Sequence, residues 1–129
     1  MFKNIYQGRN VLVTGHTGFK GSWLCSWLLD LGAIVAGFSV NVPTEPSLFG
    51  ALSLVDRVQH FEGDVRDKNL LRQTMEKVCP EIVFHLAAQP LVRESYEDPI
   101  LTFETNSMGT LNLLDCLRDQ SSVEAAVLV

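Results

Sequence analysis

Residues 10–21 read Asn-Val-Leu-Val-Thr-Gly-His-Thr-Gly-Phe-Lys-Gly, and the order of these residues decides the fold. An apolar run, Val11-Leu12-Val13, stops at Thr14, and glycines recur at 15, 18 and 21. Trp23, Leu24, Trp27, Leu28 and Leu31 follow at helical spacing, which predicts a helix with those five on its buried face. Strand, glycine turn and helix together point free backbone N–H groups and the positive end of a helix dipole at one spot, where a diphosphate would sit. Gly15 is expected to permit the turn, Gly18 to let a phosphate approach the backbone, and Gly21 to let helix and strand pack closely. Charge points the same way: no Asp or Glu precedes Asp30, whereas Lys3, Arg9 and Lys20 do. A helix start usually favours acids, so one that carries Lys20 and no acid leaves the dipole to an outside anion. The alternative is a glycine-rich turn that binds nothing.

The rest of the 129 residues alternates strand and helix. A second strand is expected over 33–40, then a Pro43- and Pro46-punctuated connection with a short helix over 48–54. A third strand follows over 58–61, ending at Gly63-Asp64-Val65. Asp67 caps a helix with Leu71, Met75 and Val78 on its inner face, stopped by Pro80. A fourth strand covers 82–86, a polar loop runs to Asp98-Pro99, a long helix spans 100–118, and a last strand begins near Val123. Such alternation means parallel βαβ units: an α/β, Rossmann-type doubly wound sheet of order 3-2-1-4-5, with its ligand crevice at the carboxyl ends of strands one and four.

Composition bounds the function. With 47% hydrophobic and 19% charged residues, the chain can bury one core. A net charge of −5 argues against nucleic acid as a partner. No apolar run is long enough to cross a bilayer, and Met1-Phe2-Lys3-Asn4 is no signal peptide. Cys25, Cys79 and Cys116 read as reduced core thiols of a cytoplasmic protein. The three histidines and three cysteines have no metal-ligand spacing, so no metal is expected.

The crevice-lining positions carry distinctive residues. Asn41 falls about where this fold places an acid for ribose hydroxyls; an amide there favours NAD over NADP, or it is a turn residue before Pro43. Asp64 can accept from an adenine amine, with Val65 serving a ring nitrogen through its backbone, or it is a turn or capping aspartate. Ala87 and Ala88 are small where a ribose would cross, or they pack a strand end. His16 approaches phosphate or faces solvent, and His85 reads as a satisfied core histidine. Arg93, Ser95 and Tyr96 reach a substrate phosphate or the cofactor, or belong to a solvated loop. Lys68, Arg72, Glu76 and Lys77 form a helix's wet face.

Thr14 to Gly21, Gly63-Asp64-Val65, His85-Leu86-Ala87-Ala88-Gln89 and the run from Asn106 to Asn112 together resemble an extended short-chain dehydrogenase/reductase. The finer pattern resembles the CDP-glucose 4,6-dehydratases: His16 to Leu24, Pro43 to Phe49 and Ala88 to Tyr96 carry it. The resemblance covers essentially the whole chain. It implies NAD, a nucleotide-sugar substrate (CDP-glucose) held by a further C-terminal part, and a homodimer. It also implies a cycle in which hydride leaves sugar C4 for NAD, water is eliminated across C5 and C6, and the hydride returns to C6. On this likeness Gly15, Thr17, Gly18, Phe19, Lys20 and Gly21 hold the diphosphate, and Asp64 and Val65 hold adenine. Leu86, Ala87, Ala88 and Gln89 line the ribose and nicotinamide side. Asn106 lies near the nicotinamide, or is a helix amide bonded to a neighbouring loop.

One departure bears on activity. The group's catalytic Tyr-x-x-x-Lys has no counterpart, because Tyr6 and Tyr96 are followed four positions on by Asn10 and Ile100. The sequence stops at Val129, inside the expected fifth strand, which would leave an apolar edge there. The expectation is a cofactor-binding part of a longer enzyme, with no catalytic residue of its own. An epimerase of the same group and a non-catalytic NAD-binding module are the alternatives.

Overall fold

The computed structural model describes residues 2–129. Five strands form one parallel sheet: β1 (Asn10–Thr14), β2 (Ile34–Ser39), β3 (Gln59–Glu62), β4 (Ile82–His85) and β5 (Ala125–Leu128). Their order is β3-β2-β1-β4-β5, the order expected from the alternation of strand and helix. The helices are α1 (Phe19–Asp30), α2 (Leu48–Ala51), α3 (Lys68–Val78), α4 (Val92–Glu97), α5 (Pro99–Phe103) and α6 (Gly109–Arg118). A π-helical turn, Glu104–Met108, joins α5 to α6.

β1 is central because it can be buried on both faces. Val11, Leu12 and Val13 are wholly buried, with Leu12 opposite Ala36 of β2 and Val83 of β4. Side chains alternate across the pleat, so the strand feeds two cores. Val11 and Val13 join Cys25, Leu28, Val35, Phe49 and Leu54 on one side. Leu12 joins Phe38, Leu71, Met75, Leu113 and Cys116 on the other.

The buried face of α1 differs from the one the spacing predicts. Gly21, Ser22, Cys25 and Leu28 face inward, while Trp23 and Trp27 are 56% and 50% exposed. The reason is steric. A Cβ on Gly21 would lie 2.1 Å from the Gly15 carbonyl oxygen, so this helix lies too close to the turn for a bulky inner face. The small residues therefore form the contact stripe, and the indoles point outward.

Other differences have local causes. Cys79 is exposed, not a core thiol: it takes the left-handed C-cap position of α3 (φ 46°), its N–H donating to the Met75 carbonyl before Pro80. Lys68 and Arg72 are not a free wet face; Lys68 pairs with Asp115 and Arg72 with Asp119, strapping α3 to α6. The stretch expected as a polar loop after β4 contains α4, and the long helix carries a π-turn at Glu104–Met108. All four residues of β5 are exposed at the sheet edge.

The glycines separate two demands. Gly21→Ala is expected to cost about 3 kcal/mol, because backbone cannot yield to the new methyl. Gly18→Ala, whose Cβ would meet only the Gly15 carbonyl at 3.5 Å, is expected to cost about 1 kcal/mol or less. Urea melts of the two variants check the difference.

Candidate functional site

β1 stops at Thr14 because Gly15 turns the chain with φ +74°, its N–H donating to the Phe38 carbonyl of β2 at 2.8 Å. A Cβ at Gly15 would stand 2.8 Å from both the Ala87 nitrogen and the Leu86 carbonyl carbon. The ends of β1 and β4 therefore meet where only glycine fits. Gly18 takes the N-cap of α1 without any side-chain cap, and the first turn contains no acid. Among the described residues nothing accepts a hydrogen bond from the N–H groups of Phe19, Lys20 and Gly21; the first helical bond runs from Ser22 to Gly18. Three free donors at a helix start form a ready anion site.

Thr17 is buried, and its hydroxyl donates to the Asn41 carbonyl, tying the glycine turn to the end of β2. The Asn41 side chain is exposed there, with no partner among the described residues. Asp64 follows β3. Its Oδ1 accepts from the Arg66 N–H (2.8 Å), and its Oδ2 accepts from Arg66 Nε (3.0 Å) and Nη2 (2.7 Å). The Arg66 guanidinium, bonded to Asp64, holds its carboxyl below the usual carboxylate range. Asp64 thus makes the bonds of a turn aspartate, one of its two expected readings. Val65 is buried beneath it, and its carbonyl accepts from Asn112 Nδ2 at 3.0 Å.

At the β4 end, the N–H groups of Leu86 and Ala87 donate to the Thr14 hydroxyl at 3.2 and 3.1 Å. Ala88 is exposed. The Gln89 backbone is gripped at both ends by one side chain: its N–H donates to Asn106 Oδ1 (2.7 Å) and its carbonyl accepts from Asn106 Nδ2 (3.0 Å). Asn106 is therefore bonded to a neighbouring loop, the second of its expected roles. The Gln89 amide folds back on Leu91 and Thr102. The predicted positions on the turns after β1, β2, β3 and β4 all stand at one edge of the sheet, where the chain order reverses between β1 and β4. Arg93 pairs with Glu97 of its own helix, and Tyr96 is 84% exposed.

His16 neither approaches phosphate nor faces solvent. It is wholly buried, Nε2 lies 2.7 Å from His60 Nδ1, and its ring meets Phe49 edge-on at 5.4 Å. A Cβ at Gly37 would be 2.1 Å from this ring. A glycine inside an otherwise apolar central strand signals such close approach, and Gly37 was the clue to the buried ring. His85 is buried and satisfied, as expected, by Thr14 and Thr110. Among the described residues no three His, Cys, Asp or Glu side chains gather as metal ligands, and no helix is long and apolar enough to cross a membrane.

Parallel order 3-2-1-4-5, a glycine turn under an uncapped helix start and an acid after β3 define a dinucleotide-binding Rossmann unit of the extended short-chain dehydrogenase/reductase type. The chain belongs to the family described as GDP-mannose 4,6 dehydratase, whose sequence pattern matches residues 12–129. It is 53% identical over 125 residues to the CDP-glucose 4,6-dehydratase of Salmonella typhimurium, covering 97% of this chain and 35% of that enzyme. It is 35% identical to the CDP-paratose 2-epimerase of Salmonella typhi, over 87% of this chain and 33% of the relative. Among solved structures, Thermus thermophilus UDP-glucose 4-epimerase in complex with NAD superposes with a TM-score of 0.77 at 37% identity, over 87% of this chain and 34% of that one. The chain spans about a third of the length of these relatives.

The buried histidine has a consequence for stability. Burial, and then the neighbouring His60, pull the His16 imidazole from 6.5 down to about 4. Between those values the unfolded chain binds a proton that the folded chain refuses, so stability is complete above about pH 6.5 and declines as pH falls toward 4. The loss is expected to reach at most about 3 kcal/mol. Urea melts at pH 7.5 and 4.5 check it, with a smaller difference expected in His16→Gln.

Proposed function

We propose that this chain is the NAD-binding part of a cytoplasmic nucleotide-sugar 4,6-dehydratase acting on CDP-glucose. The observation that carries the reading is the trio of unbonded N–H groups at Phe19, Lys20 and Gly21, above a glycine that no neighbour requires. Gly15 and Gly21 lack side chains because protein atoms leave no room, whereas a Cβ on Gly18 would meet no atom closer than 3.5 Å. What Gly18 makes room for is then a ligand, and the uncapped, acid-free helix start calls for an anionic one.

In this reading the amides of 19–21 hold the diphosphate, with Gly15 and Thr17 shaping the turn and Lys20 adding charge. The unpartnered Asn41 amide serves ribose hydroxyls, and the absence of arginine beside it suits NAD. Asp64 and the Val65 backbone take adenine, while Leu86, Ala87 and Ala88 line the ribose. Gln89 and Asn106 form the wall toward the nicotinamide. NAD bound there supplies a hydride acceptor and donor; the chain's own part is to bind it, orient it and keep water away. The 53% identity to a CDP-glucose 4,6-dehydratase supports the substrate. NAD-complexed epimerases among the structural relatives support the cofactor, and leave an epimerase as the second reading. With no Tyr-x-x-x-Lys among them, these 129 residues are expected to bind NAD weakly and not to convert CDP-glucose. The exposed apolar row Ile100, Phe103, Met108, Leu111 and Leu114 supports pairing of two copies through α5 and α6. Three free cysteines suit a reducing compartment.

Calorimetry tests the cofactor reading: NAD is expected to bind in preference to NADP, and Gly18→Ala to weaken it at least about tenfold while leaving the fold intact. No heat from NAD in a folded sample would overturn it.

A further inference from the structure

Three hydrogen bonds converge on one hydroxyl at the mouth of the crevice. Thr14 Oγ1 lies 3.2 Å from the Leu86 nitrogen, 3.1 Å from the Ala87 nitrogen and 2.7 Å from His85 Nδ1. A hydroxyl has one proton and two lone pairs, and backbone amides can only donate. The Ala87 amide fills one lone pair, and the Leu86 amide divides itself between this oxygen and the Thr14 carbonyl (3.1 Å). On the other side of the ring the Thr110 hydroxyl spends its proton on the Asn106 carbonyl and so accepts from His85 Nε2, which turns the Thr14 proton toward His85. Its Nδ1 is then the bare, accepting nitrogen of the ring.

The direction propagates. With Nδ1 bare, the proton of a neutral imidazole sits on Nε2 and donates to Thr110 Oγ1 at 3.0 Å. The Thr110 proton passes on to the Asn106 carbonyl at 2.8 Å. Asn106 in turn grips the Gln89 backbone with its own side chain. One polarised chain thus joins the loop after β4, through β1 and a buried ring, to the π-turn, and every member has its partner. A proton added at Nδ1 would turn the Thr14 proton away and compete with two backbone amides for the hydroxyl oxygen. Burial alone also lowers the affinity of His85 for that proton, and Thr14 from β1 and Thr110 from α6, both uncharged, are the side chains bonded to the ring.

We infer that His85 is a positioning residue, held as the neutral Nε2–H tautomer, that sets the spacing between the Leu86–Gln89 loop and the Asn106 turn across which the cofactor would lie. The inference rests on the NAD reading of the crevice. His85 touches no ligand in this scheme; it acts through Thr14 and Thr110. The ring is suited to the task because a neutral imidazole accepts at one nitrogen and donates at the other across a rigid plane.

Two measurements test it. In protein carrying 15N-labelled histidine, long-range nitrogen–proton correlation spectra at pH 7 are expected to show His85 with a bare Nδ1 and a protonated Nε2. An Nδ1–H tautomer or a charged ring would overturn the assignment. By calorimetry, Thr110→Val is expected to weaken NAD binding about tenfold, because it leaves a buried N–H without an acceptor, while Thr110→Ser stays within about twofold of the unaltered protein. A folded Thr110→Val that binds NAD normally, or equal losses in both variants, would overturn the positioning role. Should the unaltered protein bind no NAD, the cofactor reading and the positioning role both fall. That outcome is distinguishable, because the tautomer is read without any ligand.

Discussion

The contact between Gly21 and the Gly15 carbonyl constrains everything around it. With 2.1 Å between that oxygen and the place of a Cβ, α1 can lie on the turn only through a bare backbone. That closeness fixes which residues of the helix face inward and leaves its first turn uncapped at the carboxyl edge of the sheet. The same want of a side chain at Gly15 brings the ends of β1 and β4 into contact. The crevice is therefore a by-product of packing: two strand ends and a helix start converge because nothing bulky separates them.

The strand order, and with it the gathering of the four turns at one edge of the sheet, was legible in the sequence, because it follows from the alternation of strand and helix and the handedness of parallel crossovers. The inner face of α1 was not. Hydropathy ranks tryptophan above glycine and serine, but contact distance decided the matter, and the indoles turned outward. His16 was misread for a related reason: its neighbours in sequence are a glycine turn, while its neighbours in space are Gly37, Phe49 and His60, three other elements. Asn106 and Asp64 were each read two ways, and each makes the bonds of its structural reading, Asn106 to Gln89 and Asp64 to Arg66. Short helices such as α4 carry too few residues for a periodicity to show.

Those two residues nevertheless bind the crevice together. Arg66 holds Asp64 and reaches Glu104 at 3.4 Å, at the start of the turn that carries Asn106. Asn106 in turn clasps Gln89 on the far side. The π-turn is thus tethered to the β3 end by charge and to the β4 end by an amide. A π-turn is rare and concentrates at functional places, because one extra residue in the helix redirects the side chains that follow it. Here that extra residue lets the turn face two loops at once.

The outward indoles decide what light can report about this protein. Trp23 and Trp27 are its two tryptophans, both half in solvent on the outer side of α1. Their emission starts from a half-wetted surface, and unfolding adds only the remaining half of their exposure, with Trp27 also leaving its edge contact with Phe2 at 5.7 Å. Fluorescence would therefore describe a skin, and the order of the interior has to be followed through amide signals.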